Sequence, residues 1–137
     1  MKQLLCVVAW LALICFGAGN VSLSPARADG GASKTAARIA LVGPAIAGRR
    51  PEGHAEFRTE GALRRLNVEV EKVNLADGTQ LEVNVNGTTV GMMKLALGFG
   101  KIELNSKNGA AVPAIKAGDV VTVVALPSQT TILSGTF

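Results

Sequence analysis

The sequence predicts an all-β chain: a single antiparallel sandwich of about seven or eight short strands behind a cleaved export signal. Three observations predict it. The segments Leu66-Asn67-Val68-Glu69-Val70-Glu71 and Leu81-Glu82-Val83-Asn84-Val85 alternate apolar with polar residues in strict period two, as half-buried strands do. Turn signals recur at intervals of about ten residues, the spacing a sandwich or small barrel needs. Nothing after Ala28 sustains a helical period of about 3.6 residues, so essentially no helix is expected there.

The chain opens with Met1-Lys2-Gln3 and then runs apolar from Leu4 to Gly19. A more polar stretch leads to Ala26-Arg27-Ala28, the small-x-small form at which signal peptides are cut, so residues 1–28 read as a signal peptide. The apolar run is shorter than the roughly 20 residues that cross a membrane, and no retained transmembrane helix is expected. Ile14 stands before Cys15 where a lipoprotein signal has a small residue. Cleavage after Ala28 removes Cys6, Cys15 and Trp10, and the chain from Asp29 to Phe137 then holds no Cys, Trp or Tyr. Such a domain has no disulfides to draw on, and its stability must come from apolar packing. Cleavage also removes Lys2 and Arg27 but no acid, so the net charge falls from +4 to +2. That small excess gives no footing for nucleic-acid binding or for general adsorption to anionic membranes.

Residues 29–35 (Asp-Gly-Gly-Ala-Ser-Lys-Thr) are small and polar, a flexible leader, and 36–137 form the sandwich domain. The first strand is expected at Ala36 to Val42. Gly43 to Gly53 carries three glycines and two prolines and forms an irregular connection. Ala55-Glu56-Phe57-Arg58 is a short alternating run, followed by the two strands already named. Asn86-Gly87 marks a type I′ hairpin, because both central residues of that turn take positive φ. Its register sets Val85 against Thr88, Val83 against Val90 and Leu81 against Met92. A second hairpin is expected with Phe99-Gly100 at its tip, Leu97 opposite Ile102 and Leu95 opposite Leu104. Reconciling the two requires an extra residue, a bulge near Met92 to Lys94. After Asn108-Gly109 and Pro113, the string Lys116-Ala117-Gly118-Asp119 turns into Val120 to Val124, apolar enough on both faces for a central strand. Pro127-Ser128 makes the next turn, and Thr130 to Phe137 is the last strand.

Chemistry-bearing groups are sparse. His54 is the sole histidine, and without cysteine no zinc or copper site of ordinary composition can be built. Asp77 and Asp119 lack the ligand spacing of a calcium loop. No cofactor or metal is implied, and no catalytic residue is assigned. His54 reads as an exposed neutral imidazole, and Glu69, Glu71 and Glu82 as the solvated face of their strands. Gly98-Phe99-Gly100 lacks the following helix that would make it an anion site. Only Phe57, Phe99 and Phe137 remain as aromatics, too few for sugar or base stacking. One cluster stands out. Arg49, Arg50, Arg58, Arg64 and Arg65 concentrate cations in a short span broken by Glu52, Glu56 and Glu60, a pattern suited to an acidic partner or to a mixed-charge solvated surface.

The strings His-Ala-Glu-Phe-Arg, Arg-Arg-Leu-Asn-Val-Glu-Val-Glu, Asp-Gly-Thr-Gln-Leu-Glu-Val-Asn-Val-Asn-Gly, Val-Pro-Ala-Ile-Lys-Ala-Gly-Asp and Ile-Leu-Ser-Gly-Thr-Phe resemble a group of small exported bacterial β-sandwich proteins of unassigned function. More distantly, the layout is similar to immunoglobulin-like sandwiches of the superoxide dismutase and chordin-repeat kind. That resemblance implies a Greek-key sandwich. It carries over no catalytic residue, because the histidine cluster of a dismutase is missing. The expectation is an exported, non-enzymatic domain, periplasmic or extracellular, that binds or assembles at the cell envelope or outside it. An envelope protein or an acidic surface polymer is the expected partner. A small outer-membrane β-barrel and a secreted enzyme are the alternatives.

Overall fold

A computed structural model describes residues 33–137; the expected signal peptide, its cut site and the leader up to Ala32 lie outside them. Eight strands follow one another: β1 (Lys34–Val42), β2 (Glu52–Glu60), β3 (Leu63–Glu71), β4 (Gln80–Val85), β5 (Thr88–Lys94), β6 (Gly100–Asn105), β7 (Val120–Ala125) and β8 (Thr130–Thr136). The helical content of the described residues is one 3-10 turn, Ser106–Asn108, in which the Asn105 side chain accepts from the Lys107 N–H and Gly109 closes the turn at φ 84°.

The strands form one antiparallel sheet in the order β5-β4-β7-β8-β1-β2-β3-β6. Period-two alternation decides which side chains it encloses. Leu66, Val68 and Val70 of β3, Leu81 and Val83 of β4, and Val121 and Val123 of β7 are fully buried, while the polar residues that alternate with them are more exposed, except Asn84 of β4, which is buried. Phe57, Leu41 and Leu133 belong to the same enclosed core. Each such side chain contributes about 2 kcal/mol on burial.

The all-β antiparallel expectation holds, with the eight strands in one nearly closed, barrel-like sheet in which the two leaves of the expected sandwich are not clearly separate. β1 and β8 are hydrogen-bonded partners at Val42 and Ser134, which joins the two groups of strands. On the opposite side β5 and β6 meet through side chains. A Cβ on Gly91 of β5 would fall 2.4 Å from Ile102 Cδ1 of β6, and one on Gly100 of β6 would fall 2.9 Å from Met93 Sδ of β5. Closure is therefore tight where glycines let the strands approach.

Two register expectations are corrected. The Asn86-Gly87 hairpin forms with φ of 51° and 84°, and Val85 faces Thr88. The bulge, however, falls at Val90, earlier than Met92 to Lys94, so Val83 faces Gly91 and Leu81 faces Met93. This places glycine, with no side chain, inward against Ile102, and leaves Met92 exposed. The hairpin with Phe99-Gly100 at its tip does not form. Its turn is Leu97-Gly98, closed by a bridge between Ala96 and Phe99, and Ile102 and Leu104 pair with Val68 and Leu66 of β3. The partner of β6 is fixed by burial of the β3 apolar face, which a local turn signal does not report.

Candidate functional site

The outer face of β1-β2-β3-β6 carries the charged side chains in cross-strand rows. The Glu60-Gly61-Ala62-Leu63 turn, with Gly61 at φ 61°, sets Arg58 directly opposite Arg65. The same registers put Ala36 beside Arg58 and Asn105 beside Arg65. The next row is Arg38, Glu56, Asn67 and Glu103, and the one after it Ala40, His54, Glu69 and Lys101. Like charges directly opposite one another cost stability, and here carboxylates from the neighbouring row offset the cost. Arg58 Nε binds Glu56 Oε1, and Arg65 Nε lies 3.5 Å from Glu103 Oε1.

At the end of the sheet where β2 turns into β3 lies an open groove of about 480 Å³. Lys34, Arg58, Arg64, Arg65 and Lys107 line it, with Glu60 as its acid and Leu63 as an apolar wall. Lys34 Nζ is 3.1 Å from Glu60 Oε1. Arg64 is held at both ends: its N–H donates to Ser106 Oγ at 2.9 Å and its Nη1 to the Val112 carbonyl at 3.3 Å. Five cations thus face three carboxylates (Glu60, Glu56 and Glu103), leaving positive charge in excess. A smaller groove of about 140 Å³ continues between Arg58, Arg65, Glu56 and Glu103 over Asn67, whose Oδ1 is buried without a hydrogen-bond partner among the described residues.

Of the five arginines singled out in sequence, the fold brings Arg58, Arg64 and Arg65 to this groove. Arg49 and Arg50 sit in the β1–β2 connection at the far end of β2, where Ile46 and Arg49 close a turn over Ala47-Gly48. The strand from Glu52 to Arg58 alone spans about 20 Å. Lys34, Lys107, Glu103 and Asn67 are members of the site that sequence reading did not find. The legible signal is the Gly61 turn, whose register pairs Arg58 with Arg65. Lys107 arrives through β3–β6 pairing, which has no local marker.

His54 and Glu69 form a second constellation. His54 Nε2 lies 2.9 Å from Glu69 Oε2, and Lys101 Nζ donates to Glu69 Oε1 at 2.8 Å. The Lys101 hydrogen bond holds the Glu69 carboxyl below its ordinary range, with the charges of Lys101, His54 and Arg38 adding to it against a burial penalty. The same bond raises Lys101. These side chains engage one another on an open sheet face and line neither groove.

Comparison of the chain with protein-family models, curated proteins and solved structures found no match.

Proposed function

We propose that this chain is an exported, non-enzymatic β-domain that binds an acidic partner at the cell envelope or outside the cell. The observation that carries the reading is the groove in which Lys34, Arg58, Arg64, Arg65 and Lys107 outnumber the carboxylates that reach them. Arg58 and Arg65 stand directly opposite one another, and a bound anion would add to the compensation that Glu56 and Glu103 supply. Positive side chains on a rigid sheet offer forked donors to carboxylate, sulfate or phosphate.

We read the barrel-like sheet as a Greek-key sandwich with leaves β5-β4-β7-β8 and β1-β2-β3-β6. The single β1–β8 pair and the side-chain contact of β5 with β6 support this. With β5 and β6 counted as neighbours, β4, β5 and β6 lie in chain order and β7 returns beside β4. The outer-membrane alternative is disfavoured by polarity: most strand valines and leucines are buried, and Arg38, Glu56, Arg65, Glu69 and Lys101 lie on the outer face of β1-β2-β3-β6, where a lipid-facing band would be. The enzyme alternative would rest on His54 and Glu69, which lie 2.9 Å apart and line neither groove.

The test uses the chain from Asp29 to Phe137 on a sulfated-polysaccharide column. Arg58→Glu/Arg65→Glu should bind about tenfold more weakly than the wild type, while Arg49→Glu/Arg50→Glu, reversed at the far end, should elute near it. Loss confined to the Arg49/Arg50 variant would move the site. No salt-dependent retention of the wild type would sink the reading. Export is checked by the intact mass of the protein recovered outside the cytoplasm, which should begin at Asp29.

A further inference from the structure

The hydrogen-bonding phase of β1 leaves one edge of the sheet open beside the groove. The Gly61 N–H donates to the carbonyl of Ser33, directly opposite it, at 3.2 Å. Antiparallel pairs alternate, so Ser33, Thr35, Ala37 and Ile39 direct their N–H and C=O groups to β2, and Lys34, Ala36 and Arg38 direct theirs away from it. The far end of the strand agrees. Val42, in the same phase as Lys34, pairs with Ser134, and a Cβ on Gly135 of β8 would fall 2.5 Å from the Ala40 carbonyl oxygen. From Lys34 to Arg38 no strand lies on that side among the described residues. The open stretch spans about 13 Å of extended backbone.

Such edges are normally blunted by proline, bulges or charges. β1 pairs with β2 without a register shift from Lys34 to Val42 and holds no proline. Its side chains from Lys34 to Ala37 are exposed on both faces, and only Lys34 and Arg38 carry charge. We propose that this edge accepts an added β-strand, an extended segment of another polypeptide with acidic residues at alternate positions. This rests on the acidic-partner reading and names the partner's class.

Charge decides the occupant. Residues of an added strand opposite Lys34 and Arg38 stand about 5 Å away at Cβ on the outer face. Carboxylates there meet Lys34 and Arg38, with Arg58 in the next row. Arg38 makes no ion pair among the described residues and is free to receive one. A second copy of this strand, paired antiparallel about Ala36, would set Lys34 against Arg38, which repel. A polysaccharide lacks the backbone donors and acceptors that match the edge.

The described residues 33–137 form one compact unit with its own core, so the chain from Asp29 onward is the material for the test. A fluorescently labelled peptide of alternating Glu and Thr is titrated by anisotropy, alongside the same peptide N-methylated on alternate backbone nitrogens. The unmodified peptide should bind about tenfold or more tightly than the methylated one, which keeps the charge and loses the edge hydrogen bonds. Ala36→Pro should weaken the unmodified peptide by a similar factor without shifting the thermal midpoint, because the lost N–H faces away from β2. Equal binding of the two peptides overturns strand addition and leaves the acidic-partner reading standing. Absence of peptide binding with retention on the sulfated column does the same, and absence of both overturns the two together. Self-association abolished by Ala36→Pro, without peptide binding, overturns the acidic partner in favour of a second copy. Should Ala36→Pro fail to fold, the methylated-peptide comparison still decides.

Discussion

At Glu69 one carboxylate receives Lys101 at 2.8 Å and His54 at 2.9 Å on a face where its side chain is 20% exposed. The Lys101 bond, more than any other interaction, lowers its acidity range in the folded chain below the ordinary value of 4.5. A carboxyl lowered on folding adds stability above its unfolded value and loses that contribution as pH falls through the lowered one. Glu69→Gln should therefore cost about 1 kcal/mol at neutral pH, the upper range for partly exposed pairs. The difference from wild type should close as pH falls below 4.5, measured by urea unfolding followed by far-UV circular dichroism. A gap that persists unchanged in acid would mean that the carboxamide disturbs packing instead. Asn86 shows a similar economy at a turn: its amide donates to Asp119 at 3.0 Å and its oxygen accepts the Val120 N–H at 2.9 Å, tying the hairpin tip to the start of β7.

Among the elements, the two hairpin-like turns on either side of β5 differ in sequence and not in backbone. Asn86-Gly87 has φ of 51° and 84°, and Leu97-Gly98 has 53° and 78°. Asn takes the left-handed region readily; leucine pays about 1 kcal/mol for it. Leu97 is 91% exposed, so it recovers nothing by burial, and its N–H is held by Asp77 Oδ1 at 2.7 Å. Leu97→Asn should raise stability by about 1 kcal/mol, a shift of about 4–8 °C in the thermal midpoint for a domain of this size. A fall in midpoint would show that the leucine side chain makes stabilising contacts at the tip. The position of this turn was illegible because leucine hides it, and Phe99-Gly100 offered a more conventional glycine beside it.

For the molecule as a whole, closure depends on glycines at the two places where the sheet meets itself, and the contacts differ in kind. A Cβ on Gly43 would stand 1.8 Å from the backbone oxygen of Ile132, and one on Gly135 2.5 Å from that of Ala40. At Gly91 the obstacle is the end of the Ile102 side chain, which can rotate. Gly43→Ala should cost about 3 kcal/mol, the upper range for overpacking, and Gly91→Ala about 1 kcal/mol, both read by chemical denaturation. Equal costs would mean that the β1–β8 junction yields as easily as a side chain.

The sequence by itself determined that the chain is all-β, because alternation of apolar and polar residues at Leu66–Glu71 and Leu81–Val85 is a local property of a half-buried strand. It also determined the Asn86-Gly87 turn and the central place of the Val120 run, while of the five arginines close in sequence only Arg58, Arg64 and Arg65 are brought to one groove, by the turn at Gly61. Tertiary structure decided what local signals do not encode. Pairing β6 with β3, bulging β5 at Val90 and sending Arg49 and Arg50 to the far end all follow from enclosing one core between strands distant in the chain. The near closure of the sheet has the same cause, since the Val42–Ser134 pair joins strands that lie far apart in the chain.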